Sequence, residues 1–394
     1  MVTLEQIRAS NSKIGEILGP GLVAVFAGAT SGIGEATLKQ FAKHAVKPRI
    51  YFLGRSKASG DRLLTELQKI NPEGEYHYIS VDVSLIRSVD DVCREIKAKE
   101  SSINLLFLST GTLATKTGKH PRTKKWKMRK SSLLNLHLLR SETSEGLYYL
   151  TAVGYYARLR FIVNLLPQLQ RATGLRRVVS VLAGTKEGPV QTDDMQVRRM
   201  SVLRARGHAA SLTTLALEEA AQRSAATIST SGAGPVSFVH AFPGFVRTPL
   251  GRKDASGATA NALVAVNAVL GILGPLIYIP IEESGERHVF LATSARFRAA
   301  TGGGSSGDGT KEADSETTSP SLPADGVPLP AGVAVARGTD GKPGSGAYSV
   351  DKDGESAPPK VEQFLERLRK DGTAGKVWAD LEEQFVRITG AASV

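Results

Sequence analysis

Three glycines in one short stretch, Gly28-Ala29-Thr30-Ser31-Gly32-Ile33-Gly34, are the residues whose spacing points most directly to chemistry. An apolar run precedes them and a helix-like segment follows. In that setting, main-chain amides and a helix N-terminus can receive a pyrophosphate. Glycine at 28, 32 and 34 permits a tight turn and lets the backbone come close to a ligand. A second feature is a basic run over residues 115–141, with nine lysines and arginines and no acid. Trp126 lies within it, so phosphate or acidic-lipid contact is conceivable. A single aromatic supplies no base-reading framework, however, and a solvated insertion with no specific nucleic acid is expected. No metal-ligating set is read, and the one cysteine, Cys93, excludes an internal disulfide.

The pattern Gly-x-x-x-Gly-x-Gly after a first strand resembles the short-chain dehydrogenase/reductase family. The resemblance spans about residues 20–300 and implies a Rossmann-type, doubly wound parallel sheet with a nicotinamide dinucleotide on the glycine turn. Thr30, Ser31 and Ile33 then belong to the cofactor site with Gly28, Gly32 and Gly34. Arg55, beside Ser56, falls 21 residues after Gly34 at the end of a second apolar run. An acid there would bind both ribose hydroxyls of NAD, whereas arginine can pair with a 2′-phosphate, which favours NADP. Arg55 reads otherwise as a solvated strand-end charge. Asp82 and Val83 match the family's adenine contact. Leu108-Ser109-Thr110-Gly111 stands where the family has Asn-Asn-Ala-Gly, which keeps Gly111 and puts Ser109 in place of an asparagine. Pro243-Gly244-Phe245-Val246-Arg247-Thr248 matches the segment that packs on the nicotinamide end, through Pro243, Gly244, Val246 and Thr248.

The catalytic half departs from the family, whose chemistry rests on a Tyr acid or base, a Lys four residues later, a Ser and a helix Asn. Residues 201–211 contain neither Tyr nor Lys, the Ser position falls on Leu182-Ala183, and the Asn position falls on Gly154. His208 is the substitute candidate, with a polar residue at a helix start as the plainer reading. Tyr156 and Arg160 share a helical face but lie on the wrong helix, and Ser180 reads as structural. Thr143-Ser144-Glu145-Gly146, Leu165-Leu166-Pro167 and Glu283-Ser284-Gly285-Glu286-Arg287 resemble a fungal subgroup from natural-product pathways. The resemblance implies an NADP(H)-dependent oxidoreductase acting on a carbonyl or alcohol of a hydrophobic small molecule. A nucleotide-binding pseudoenzyme or scaffold, and a non-redox isomerase or cyclase, stay open beside it.

These residues need strands to hold them. Short apolar runs at 22–27, 49–53, 76–81, 103–109, 177–182 and 236–241 read as strands covered on both faces, with helices over 34–44 and 158–169. Residues 1–300 thus form the main domain. Residues 301–359, rich in Gly, Ser, Pro, Thr and Asp, read as disordered. Residues 360–394 read as a helical segment docking through Phe364, Leu368, Val377, Trp378, Leu381 and Phe385. The uncharged stretch 259–281 is long enough to span a membrane, but its Asn, Gly and Pro residues favour a buried substrate-side element over membrane contact. The start lacks an apolar leader, so a cytoplasmic location is expected. The net charge of +12 is concentrated in the basic run, leaving the remainder close to balance.

Overall fold

A computed structural model describes residues 1–111, 142–226, 234–248, 278–300 and 326–394. The basic run over 115–141, most of 259–281 and residues 301–325 lie outside the described residues, so the expectations for them are not addressed by the structure. Seven parallel strands form one sheet, β1 Val23–Ala27, β2 Arg49–Gly54, β3 Glu75–Ser80, β4 Leu105–Leu108, β5 Arg177–Val181, β6 Ser237–Ala241 and β7 Ala347–Val350. Their order is β3-β2-β1-β4-β5-β6-β7, so the direction of winding reverses between β1 and β4. Ligands of doubly wound sheets bind in the crevice that such a reversal opens beyond the strands' carboxyl ends.

Alternation along each strand divides the core into two layers. Val25, Tyr51, Leu106, Val178 and Phe238 face helices Ile86–Lys99, Ala157–Arg171, Val202–Ala226 and the C-terminal pair Pro359–Lys370 and Thr373–Thr389. Phe26, Ile50, Phe52, Phe107 and Val179 face helices Leu4–Asn11, Gly32–His44, Lys57–Ile70 and Ile281–Thr293. Strands covered on both sides are apolar at consecutive positions, which is why the central runs read as strands; the edge strand β3, Glu75–Ser80, is only half-buried. In the C-terminal pair, Leu368, Val377, Trp378, Leu381 and Phe385 are buried, and Phe364 is partly so. Among the described residues no helix is long and apolar enough to cross a membrane.

Residues 326–359 correct the expectation of disorder. Ala347–Val350 pairs with β6 as the sheet's edge strand, and all four residues are buried. Composition missed it because four residues suffice for a strand once an edge is waiting, and glycines supply the turns around it. Gly346 has φ +87°, and a Cβ there would stand 2.8 Å from the Ala300 amide nitrogen. Tyr348 packs edge-on against Phe297 with ring centroids 5.5 Å apart, and its hydroxyl donates to Arg298 O at 2.5 Å. The segment therefore stabilises the main domain. Replacing Tyr348 with Ala should cost about 3 kcal/mol or more, read as a lower denaturant midpoint. An unchanged midpoint would mean that β7 adds nothing to the fold.

Candidate functional site

The glycine turn is built against the end of β4. Gly28 has φ +88° and Gly32 φ +63°, which side chains rarely adopt. A Cβ on Gly28 would lie 2.6 Å from the Thr110 amide, and one on Gly34 would lie 2.4 Å from both Gly28 O and Ser109 Oγ. Ser109 holds the contact by donating to Gly28 O at 3.1 Å. Ser31 is the N-cap of helix Gly32–His44, yet its hydroxyl makes no capping bond, so the first amides of the helix are left for a ligand. Glu35 in that first turn would repel a phosphate, but Arg62 bonds both its oxygens at 2.9 and 2.7 Å and Lys39 bonds it at 2.6 Å. Burial is the largest single influence and pushes its carboxyl up, but the hydrogen bonds and charges of these two cations together outweigh it and hold the carboxyl below the usual range.

The residues expected on the adenine side gather at the ends of β2 and β3. Thr30 closes on Gly54, where a Cβ would meet its Cγ2 at 2.4 Å. Arg55 is exposed at the end of β2; its Nη1 donates to the Tyr149 hydroxyl at 3.0 Å, and no carboxylate pairs with it among the described residues. Ser56 caps the next helix by accepting from the Ser59 amide at 3.3 Å. Asp82 accepts from the Ser84 amide through Oδ1 at 3.0 Å, and Val83 beside it is buried.

The far half of the crevice lies at the ends of β4, β5 and β6. Gly111 is exposed, and Gly244, with φ +75°, starts the loop in which Val246 bridges Ile279. Pro243 is part-buried beside it, as is Thr248 at the edge of the described residues. Lys186 and Arg206 stand over the Phe242 ring at 5.0 and 5.1 Å. Below this rim is a polar group that the sequence does not disclose. Arg158 is fully buried and bonds Thr110 O, Ser180 Oγ and Val181 O. One strand further along, the Ala183 amide donates to His240 Nε2 at 3.1 Å, which leaves the proton on Nδ1 to donate to Thr214 Oγ1 at 2.7 Å. The Thr214 and Ser349 hydroxyls then donate to Glu187 Oε1 at 2.7 and 2.6 Å. Ser180 thus joins this group through Arg158. The signal was absent because these residues are far apart in sequence and meet only through sheet register.

The substitute candidates fare differently. His208 lies inside helix Val202–Ala226, not before it, and is fully buried. Its Nδ1 accepts from the Gln191 amide at 3.1 Å, so Nε2 bears the proton and faces Met195 O at 3.3 Å. Both ring nitrogens are occupied in fastening the 188–197 loop to the helix. Tyr156 donates to Asp380 at 2.7 Å while Arg160 grips Asp90 through Nε and Nη2, so the two do not act together. Gly154 sits in the wide turn Ala152–Tyr156, and a Cβ there would meet nothing within 4 Å.

A reversing parallel sheet with a glycine turn at its centre defines a Rossmann-type α/β protein. The chain belongs to the short chain dehydrogenase family, whose model matches residues 22–138. It is 33% identical over 383 residues to oxidoreductase AN1596 of Emericella nidulans, covering 97% of each chain. It is 32% identical to oxidoreductase andH of Emericella variicolor, covering 100% of this chain and 99% of that protein. Short-chain dehydrogenase/reductase SAT2 of Stachybotrys chartarum is 28% identical over 96% of this chain and 95% of that one. Among solved structures, a 3-oxoacyl (acyl-carrier-protein) reductase from Agrobacterium tumefaciens C58 with NADP bound is similar at 17% identity and a TM-score of 0.47, covering 70% of this chain and 90% of that one.

Two outcomes follow from this geometry. Gly34→Ala should weaken nucleotide binding by at least about tenfold while the chain stays folded, since the turn must open to admit one methyl; unchanged affinity in calorimetry would show that the turn is not the cradle. The second concerns pH. Burial lowers His240 from 6.5 to about 3 and His288 to about 4, so both are neutral in the fold. Their contribution is complete above the unfolded value of 6.5 and is lost as pH falls toward the folded values. The melting temperature should therefore drop below pH 6.5, and His240→Gln should flatten the slope between pH 6.5 and 4.5. A wild-type melting temperature that stays level across that window would contradict the assignment.

Proposed function

We propose that the chain is an NADP(H)-dependent oxidoreductase acting on a carbonyl or alcohol of a hydrophobic small molecule, within fungal secondary metabolism. The observation that carries this reading is the phosphate turn, closed so tightly that Gly28 and Gly34 admit no Cβ, with a cation free of acid at the end of β2. The names of the Emericella relatives support the oxidoreductase class.

A bound nicotinamide supplies or accepts the hydride. The chain's residues do the holding. Amides of residues 28–34 take the pyrophosphate, Arg55 turns from a phenol to the 2′-phosphate, and Asp82 keeps Oδ2 for the adenine. Ser109 and Gly111 border the turn's other side, and Pro243, Gly244, Val246 and Thr248 flank the nicotinamide end. Carbonyl reduction also needs a proton for the developing alkoxide. The family's Tyr, Lys, Ser and Asn positions are all substituted, and His208 has no free nitrogen. The proton then comes from water or from the substrate, and turnover lacks the factor of about 10²–10⁴ that a positioned acid contributes. That same vacancy favours a second reading, a nucleotide-binding scaffold without turnover.

The test compares NADPH with NADH by calorimetry. The wild type should bind NADPH at least about tenfold more tightly, and Arg55→Asp should reverse the order. Equal affinities in the wild type would remove Arg55 as the selector. Slow oxidation of NADPH with a ketone panel supports the oxidoreductase, whereas binding with no turnover on any ketone supports the scaffold.

A further inference from the structure

Arg158 is buried under the ends of β4 and β5, beneath the half of the sheet that the dinucleotide reading leaves to the second nucleoside. The phosphate turn follows β1, and Arg55 and Asp82 follow β2 and β3. The remaining nucleoside is left with the ends of β4, β5 and β6, across the reversal of strand order. Arg158 sits directly under that rim. Its Nε donates to Thr110 O at 3.0 Å, and Nη1 donates to Ser180 Oγ and Val181 O, both at 2.9 Å. Nη2 also reaches Thr110 O, and a Cβ on Gly111 would stand 3.8 Å from it. One exposed glycine separates the guanidinium from the crevice.

Every partner of Arg158 is neutral. Arg160, two residues along the same helix and equally buried, shows the contrast, because Asp90 meets it with both oxygens. Arg158 has no ion pair among the described residues. The buried carboxylate of Glu187 makes no ion pair with Arg158; it stands 3.9 Å from His240 Nδ1, with Oε1 held by Thr214 and Ser349. Lys186 and Arg206 on the rim add charge of the same sign, but they are exposed and screened by water. Burial lowers Arg158 only to about 9, so it remains a cation at neutral pH. A charge left uncompensated away from water acts over several ångströms with little screening.

We propose that Arg158 makes the nicotinamide end of the site selective for the reduced, uncharged ring over the oxidised, positively charged one. The chain then loads NADPH and releases NADP⁺. This deepens the dinucleotide reading and rests on it. The two cofactor forms share every group outside the ring, so the change in their affinity ratio when Arg158 is altered reports the charge acting on the ring.

The experiment measures dissociation constants for NADPH, NADP⁺ and adenosine 2′,5′-bisphosphate on the full chain at pH 7. The wild type should hold NADPH about tenfold or more tightly than NADP⁺. Arg158→Met should bring the ratio to within about twofold, while Arg158→Lys should retain most of it. Should Arg158→Met not fold, Ser180→Asp keeps the arginine and places a carboxylate against it, and the ratio should collapse there too. The bisphosphate, which lacks the nicotinamide, should bind all variants alike. Equal affinity of the wild type for both forms overturns the proposal, as does an Arg158→Met chain that loses both by the same factor. If the bisphosphate binds and the ratio is one, only this inference fails. If none of the three nucleotides binds, the dinucleotide reading fails and takes the inference with it.

Discussion

Everything at the site depends on how closely the turn after β1 approaches the end of β4. The Gly34 α-carbon leaves no room for a methyl between Gly28 O and Ser109 Oγ, and Gly28 is wedged against the Thr110 amide. This contact sets the helix Gly32–His44 with its N-terminus facing the crevice. It also ties the two halves of the sheet together at the point where their winding reverses. Thr110 then passes the constraint onward, since its carbonyl is the anchor for Arg158 and its hydroxyl donates to Val153 O at 3.0 Å. A change at any of these glycines is therefore felt on both sides of the crevice.

The two halves of the crevice have different chemical characters. On the β1–β3 side, the charges are exposed or paired, as with Arg55 at the strand end and Glu35 between Lys39 and Arg62. Such groups can rearrange around a phosphate at small cost. On the β4–β6 side, the polar groups are buried and engaged with hydroxyls, carbonyls and amides, from Arg158 through His240 to Glu187. Groups of this kind change partners only at a cost, because a buried polar atom gains little from leaving its partner, and among the described residues only Glu187 Oε2 of this group lacks one. The first half is suited to binding, and the second sets the electrostatic field around whatever is bound.

Much of the fold was legible because buried parallel strands read as short, largely apolar runs. The run Val23–Ala27 needs no alternation to be recognised, and its glycine turn follows at once. β7 escaped notice for the opposite reason. Ala347–Val350 is four residues long, with Ser349 among them, and its surroundings are glycine-rich. Only the open edge of β6 makes a strand of it. The cofactor half of the site was readable from local spacing. The polar group at the ends of β4, β5 and β6 was not, since Arg158, Ser180, His240 and Ser349 are brought together by register across three strands and a helix. His208 shows the limit of composition most plainly: its type suggested proton transfer, but the structure gives both its nitrogens to the main chain.

Hydrogen–deuterium exchange on the full chain, with and without saturating NADPH, tests the central claim by locating the ligand. Binding on the glycine turn should slow exchange at the amides of residues 28–37 and at 109–111, because these are the groups a pyrophosphate and the adjoining ribose would cover. The C-terminal helices Pro359–Lys370 and Thr373–Thr389, in the core layer opposite helix Gly32–His44, should exchange as before. Protection confined to other segments, or no change at residues 28–37, would contradict the account.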